Sequence, residues 1–392
     1  MKNARYLALP LLAAALFAGA PARAAEPYEI NTILSLTGYL AFVGQTQLKS
    51  LKAIENMVNA DGGIKGRPLS FVVSDDESSP QTAVQLAHTL IAKNVPIILG
   101  SSSPNACGAI APLLQQNGPL LYCLANGGTA VPGSYEFFTE MSYDDLMAVT
   151  VRYFRERGLT RLATIFATDS GGQTSEKALQ GALALPENKS MQVVTAQHFS
   201  PGDASVAAQM AVIKGANPNA MIAWATGGAA GNLMRGEKDI GLDVPTMTSP
   251  GNLTGAFFTQ YGPVLPTELI YPAVPYYASG APTDAGTEKA VGEMAKALAT
   301  VGAKPDMITI SAWDPALVLV SALRQLGPDA TAQKLRDYLL QLKGWVGANG
   351  TYDYVVNPQR GVGGNNVVMV RWDAQHNSVV AASNFGGEPL TK

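Results

Sequence analysis

Histidine, cysteine and charge are all scarce in this chain. Three histidines and two cysteines occur in 392 residues, and 15% of the residues are charged. His88 reads as a solvated or capping residue on a helix and His198 as the end of a strand. Neither has a partner at metal-ligand spacing, and His376 is far from both, so metal chemistry has no local footing. There is no Gly-x-Ser-x-Gly elbow and no Walker sequence, and Gly361-Val362-Gly363-Gly364 reads as a hairpin turn rather than a strand-to-helix nucleotide loop. No cofactor is expected, and an enzymatic function is disfavoured. Basic clusters are also missing: 27 Lys and Arg face 30 Asp and Glu, which argues against nucleic acid and anionic membrane surfaces as partners.

Long apolar runs are missing beyond the first two dozen residues. Lys2 and Arg5 precede an apolar stretch over 7–20, broken by Pro10 and Gly19, and Ala22-Arg23-Ala24 supplies the small-x-small pattern of a signal-peptide cleavage site. Residues 1–24 are therefore expected to be removed on export. Their loss takes away three positive charges and no negative ones, moving the formal charge from −3 to −6. The run is short for a membrane span, and no cysteine near the cleavage point could carry a lipid. A soluble, exported monomer without direct membrane insertion is the expectation. In an oxidising compartment Cys107 and Cys123 point to a disulfide rather than a metal site, with two separate buried thiols as the alternative.

What the chain has in quantity is alternation of strands and helices. A strand from Tyr28 is followed by a helix over 45–60 with Leu48, Leu51 and Ile54 on one stripe, then a strand over 69–74. Ser79-Pro80 supplies an N-cap with proline at N1 for the next helix. Strands over 95–99 and 119–124 continue a series spaced as crossover units, which predicts a doubly wound parallel sheet. After 137–141 the rhythm restarts. Helices are expected at 144–158, 176–185, 204–215 and 231–241, and strands at 162–167, 191–199, 220–225 and 244–248. The fold class expected is α/β, with two tandem sheets that duplicate one architecture. Beyond Tyr271 come a proline-punctuated segment, helices at 284–301, 307–326 and 331–343, and strands at 352–356, 367–372 and 379–382. Such a tail reads as returning to complete two lobes rather than building a third.

Two polar stretches stand out. Asp75-Asp76-Glu77 reads as a solvated strand end with helix-capping carboxylates rather than a metal or acid/base pair. Ser101-Ser102-Ser103 follows a buried strand and opens a helix. It serves either as a plain N-cap or as an anion site built from hydroxyls and backbone N–H groups.

Three features in this order resemble one family. The turn Asn59-Ala60-Asp61-Gly62-Gly63-Ile64-Lys65-Gly66-Arg67-Pro68-Leu69, the acidic strand end Asp75-Asp76 before Pro80, and Gly100-Ser101-Ser102-Ser103 are similar to those of the leucine/isoleucine/valine-binding protein family. These are type I periplasmic substrate-binding proteins of ABC importers. The resemblance implies two Rossmann-like doubly wound lobes joined by a three-segment hinge, with an inner-membrane ABC permease as partner. It places the N-terminal lobe at 28–140 plus 277–351 and the C-terminal lobe at 141–271 plus 355–386, with crossings near 139–142, 271–276 and 352–356. It implies that Ser102, Ser103, Ala125, Asn126 and Gly127 hold the ligand's carboxylate, and that the loop over 37–44 covers the cleft with Tyr39 or Phe42. In the second lobe the matching positions carry Ser170 (in Asp169-Ser170-Gly171), Thr226 and Gly251. Amino-acid binders place an acidic residue where this chain has Ser249-Pro250-Gly251-Asn252. A buried ammonium without an anionic partner is costly, so an aromatic or aliphatic carboxylate is expected in preference to an α-amino acid. The family's usual disulfide positions are here Ser78 and Ser103. A Cys107–Cys123 bond would instead brace the helix after the serine turn against the next strand.

Overall fold

The computed structural model describes residues 25–114, 118–125, 128 and 131–390, so the expected signal peptide at 1–24 lies outside them. The first half builds β1 (Tyr28–Leu34), α1 (Ala41–Ala60), β2 (Leu69–Asp75), α2 (Pro80–Ala92), β3 (Ile97–Gly100), α3 (Pro104–Ile110), β4 (Leu120–Cys123) and β5 (Glu136–Phe138). Its five strands run parallel in the order β2-β1-β3-β4-β5. All four residues of β3 are buried, as a strand covered on both faces requires. Ser79 caps α2 by accepting from the Thr82 N–H, with Pro80 at its first position.

The second half repeats the scheme with α4 (Tyr143–Glu156), β6 (Arg161–Ala167), α5 (Ser170–Leu183), β7 (Gln192–Phe199), α6 (Ala207–Gly215), β8 (Ala220–Trp224), α7 (Gly227–Asp239), β9 (Thr246–Thr248), α8 (Gly255–Tyr261) and β10 (Leu269–Ala273). Its parallel strands run β7-β6-β8-β9-β10, the same winding as the first sheet. The chain continues through α9 (Ala285–Ala299), α10 (Met307–Leu326) and α11 (Ala332–Gln341). A separate antiparallel ladder of β11 (Lys343–Gly347) and β12 (Gly350–Asp353) follows, and then β13 (Val368–Asp373) and β14 (Ser378–Ala381), which join the second sheet antiparallel beside β10. Helix α10 is long and apolar enough to cross a membrane, but most of it is buried in the protein, where the Ser50 hydroxyl of α1 donates to its Thr309 carbonyl at 2.9 Å.

Several local expectations are corrected. Gly361–Gly364 is no hairpin turn: the strands flanking it belong to different sheets, β12 pairing with β11 and β13 with β10 and β14. Helices α1, α5 and α7 begin four to six residues earlier than expected, at Ala41, Ser170 and Gly227, while α8 and β11 were not expected at all. Asp76 is fully buried and caps no helix, because loops from β1 and β3 cover the end of β2.

Four shielded carboxyls, three of them in buried residues and Glu140 in a partly buried one, carry raised proton affinities. Burial pushes Asp314 up to about 6, Glu136 to about 7, and Glu140 and Glu237 to about 8. The folded state therefore holds protons that the unfolded chain gives up near its ordinary carboxylate range, about 4 to 4.5. Unfolding releases protons between that range and about pH 8, so stability falls as pH rises through this window. Scanning calorimetry should find a higher Tm at pH 5 than at pH 8.5. Glu237→Gln, which can keep the bond that the Thr246 hydroxyl donates at 2.7 Å, should flatten part of that slope; an unchanged slope would count against burial as its source.

Candidate functional site

In both sheets the strand order reverses beside the first strand, between β1 and β3 and again between β6 and β8. At such a point the outgoing helices diverge and leave a crevice at the carboxyl ends of the strands, where open α/β sheets bind ligands. Ser35, Ser101 and Ser102 follow β1 and β3, while Asp169, Ser170 and Thr226 follow β6 and β8. Ser101, Ser102, Asp169, Ser170 and Thr226, all singled out in the sequence, thus fall at two equivalent places.

The first place is a buried polar network. Asp76 accepts from the Ser35 hydroxyl at 2.7 Å, from the Ser78 N–H at 2.9 Å and from the Ser101 hydroxyl. Ser102 Oγ donates to Gln47 Oε1 at 2.6 Å and accepts from the Ser35 N–H at 3.2 Å. Ser103 caps α3 through the Ala106 N–H. All three serines are buried and their hydroxyls are engaged inside the protein, so hydroxyl contact with a ligand is limited and backbone N–H groups are left as the main donors. Ala125 is buried beside them, while Asn126 and Gly127 lie outside the described residues. Asp75 binds the neighbouring loop. Although desolvation opposes it, the Thr37 hydroxyl and the N–H groups of Glu77, Leu36 and Thr37 hold its carboxyl below the usual range.

Cys107 and Cys123 form a disulfide, with Cα atoms 6.0 Å apart, that ties α3 to β4 behind the serine turn. The bond closes a loop with a sequence separation of 16, and linking such a loop contributes about 3 kcal/mol. The double Cys→Ala variant should lose roughly that amount in urea titration. A loss below about 0.5 kcal/mol would show that the bond does not stabilise the fold.

Tyr39 and Phe42 stand at the start of α1, 74% and 73% exposed. Phe42 lies in the helix itself, so the stretch 37–44 is only partly loop.

The second place is more open. Asp169 caps α5 through the Gly172 N–H at 2.8 Å, and Ser170 is exposed. Thr226 and Gly251 are adjacent, since a Cβ on Gly251 would lie 3.2 Å from Thr226 Cγ2. Asn252 fixes this pair, accepting from the Gly227 N–H at 2.9 Å and donating to the Ala225 carbonyl at 2.8 Å. Trp224 packs edge-on against Tyr143, ring centroids 5.5 Å apart. No hydrogen bond joins the first group to the second among the described residues.

Sequence reasoning passed over Ser35, Gln47, Tyr143 and the covered state of Asp76. Gln47 had a signal: it lies on the inward stripe of α1, four residues before Leu51, where a buried amide needs partners.

Paired sheets of identical winding, each with polar residues gathered at its reversal point, define a two-lobed α/β protein of the type I binding class. The chain belongs to the periplasmic binding protein family, whose sequence profile matches residues 27–377. It is 23% identical over 251 residues to Leu/Ile/Val-binding protein homolog 3 of Brucella melitensis, spanning 62% of this chain and 67% of that one. Among solved structures it is similar to a branched-chain amino acid transporter substrate-binding protein of Streptococcus pneumoniae, in complex with isoleucine. That match has a TM-score of 0.72 and 16% identity, and covers 91% of this chain and 99% of the other. It is also similar to a solute-binding protein of an ABC transporter from Rhodopseudomonas palustris, in complex with 3,4-dihydroxybenzoic acid. There the TM-score is 0.70 and the identity 17%, with 91% and 96% of the two chains covered.

Proposed function

We propose that this protein is the exported solute receptor of an ABC importer, delivering a small carboxylate-bearing ligand to an inner-membrane permease. The reading takes the carboxylate to the segments carrying Ser102, Ser103, Ala125, Asn126 and Gly127 at the first reversal point, where backbone N–H groups beside a helix start favour an anion; the Ser103 N–H itself is held by Ser101 Oγ. Tyr39 and Phe42 close over the ligand, and Ser170, Thr226 and Gly251 face it from the second lobe. The same reading divides the chain into lobes at 28–140 plus 277–351 and 141–271 plus 355–386, crossing near 139–142, 271–276 and 352–356. The return of β13 and β14 to the second sheet supports that division.

The observation that carries the ligand class is the state of the second lobe's acids. The turn Ser249–Asn252 has no carboxylate, and the Asp169 carboxylate is used to cap α5. An α-ammonium would find there only Asp169, an exposed carboxylate with one oxygen engaged as a helix cap, so an aromatic or aliphatic carboxylate is preferred to an amino acid. A second reading, a branched-chain amino acid receptor, is favoured by the name of the Brucella relative. A thermal-shift screen with leucine, isoleucine and valine against benzoate, phenylacetate and hexanoate separates the two. Stabilisation by the carboxylates alone supports the proposal, and stabilisation by leucine or valine alone overturns it. Tyr39→Ala and Phe42→Ala, both at exposed positions, should weaken the bound probe without lowering Tm.

A further inference from the structure

Three residues lining one pocket each carry a shielded polar atom without a hydrogen-bond partner among the described residues: Glu140 Oε1, the Tyr277 hydroxyl and Asn349 Oδ1. Each belongs to a different segment, and the pocket lies where those segments meet the start of α10. Its remaining wall is apolar, with Met141, Pro250, Val274 and Ile310 among the lining residues. Its free volume is about 20 Å³, room for one water-sized group. Asn349 is held by its N–H, which donates to Asp314 Oδ2 at 2.8 Å, and by its Nδ2, which donates to the Tyr352 hydroxyl at 3.2 Å, while its Oδ1 has no donor among the described residues.

The pocket adjoins both reversal points. Gln47 bridges Ser102 to Ser311 of α10, accepting from Ser102 Oγ at 2.6 Å and donating to Ser311 Oγ at 3.0 Å. Thr139 Oγ1 donates to the Ser311 carbonyl at 2.7 Å. Ile310 and Glu140, the chain neighbours of Ser311 and Thr139, both line the pocket, as does Pro250 beside Gly251.

We propose that this pocket is the subsite for a hydroxyl group on the bound solute. The proposal rests on the carboxylate-receptor reading above and adds the group at the solute's far end. A hydroxyl can donate to Asn349 Oδ1 and accept, through its two lone pairs, from both the Tyr277 hydroxyl and protonated Glu140, so one group answers all three atoms. Burial raises Glu140 to about 8 against the pull of Arg360, so at neutral pH it carries the proton it would donate. An ammonium has no lone pair to accept with, and the positive charge of buried Arg360, which already acts on the Glu140 carboxyl, opposes a second cation beside it.

Titration calorimetry with two pairs, benzoate against 4-hydroxybenzoate and phenylacetate against 4-hydroxyphenylacetate, tests the subsite. The wild type should prefer the hydroxylated member of at least one pair about tenfold, the effect of one or two buried hydrogen bonds. Tyr277→Phe removes only an unpartnered hydroxyl and should keep the wild-type Tm while collapsing that ratio toward one; Asn349→Leu should collapse it too. Phenol, which lacks a carboxylate, should raise the Tm of the wild type and not of Tyr277→Phe. If no carboxylate binds but the phenol effect depends on Tyr277, the solute reading falls and the subsite stands. Equal affinities within both pairs, a phenol effect indifferent to Tyr277, or tighter binding of 4-(aminomethyl)benzoate, which carries an ammonium, than of 4-hydroxybenzoate overturns the subsite.

Discussion

Gly100→Ala is expected to cost more than about 4 kcal/mol and to lower Tm by about 5 °C or more. Gly100 ends β3 with φ +116, a backbone conformation that side-chain-bearing residues rarely adopt. A Cβ there would lie 1.9 Å from the carbonyl oxygen of Ile33, its partner across the β1–β3 pairing. Backbone stands on both sides of that contact, so no side-chain rotation can relieve it and the strands must part where the serine turn begins. Gly62→Ala separates conformation from collision. Its φ is +82 with nothing within 4 Å of the added carbon, and the cost should be only the left-handed penalty of about 1–2 kcal/mol. Urea titration of the two variants tests this, and equal losses would show that the approach of Ile33 to Gly100 is not what excludes a side chain.

The same close approach explains where the sequence was misread. Gly44 and Gly172 lie in the first turns of α1 and α5, and a Cβ on either would fall about 2 Å from a strand carbonyl, 2.1 Å from that of Ser35 and 1.9 Å from that of Ala167. Read locally, a glycine near a helix start signals loop, so both helices were expected to begin later. In the fold each glycine lets a helix pack onto the end of the first strand of its lobe. The duplicated architecture that was only a rhythm in the sequence is here a repeated contact. Period and capping residues are local and were legible: the βα alternation, the Ser79-Pro80 start of α2, the Cys107–Cys123 pair and the serine turn. The hairpin assigned to Gly361–Gly364 failed because alternating strands around a glycine turn look alike whether they pair with each other or with distant partners. Glu140, Tyr277 and Asn349 meet only through tertiary structure, more than 130 residues separating the first two. No spacing rule could have joined them.

Asp76 was the most informative misreading, and Asp76→Ala should be the most damaging change at the candidate site. Acidic residues at a strand end usually face water, and nothing in Asp75-Asp76-Glu77 says that loops from β1 and β3 close over the second of them. Its carboxylate collects the Ser35 hydroxyl, the Ser101 hydroxyl and the Ser78 N–H, and so fixes three chain segments at the reversal point of the first sheet. Truncation leaves three buried donors unpaired, each costing about 1–3 kcal/mol, so a total loss above about 3 kcal/mol is expected. Asp76→Asn keeps the volume and one acceptor oxygen but turns an N–H pair toward groups that also donate. Serine hydroxyls can rotate to accept, whereas the Ser78 N–H cannot, which places this variant between wild type and alanine. Ser101 also receives the Ser103 N–H at 3.0 Å, so slack at Asp76 reaches the cap of α3 directly. Hydrogen exchange at residues 101–106 should therefore accelerate in both variants, and affinity for a carboxylate probe should fall further than global stability does. Wild-type affinity in a destabilised Asp76→Ala protein would mean that the network holds the fold without shaping the anion site.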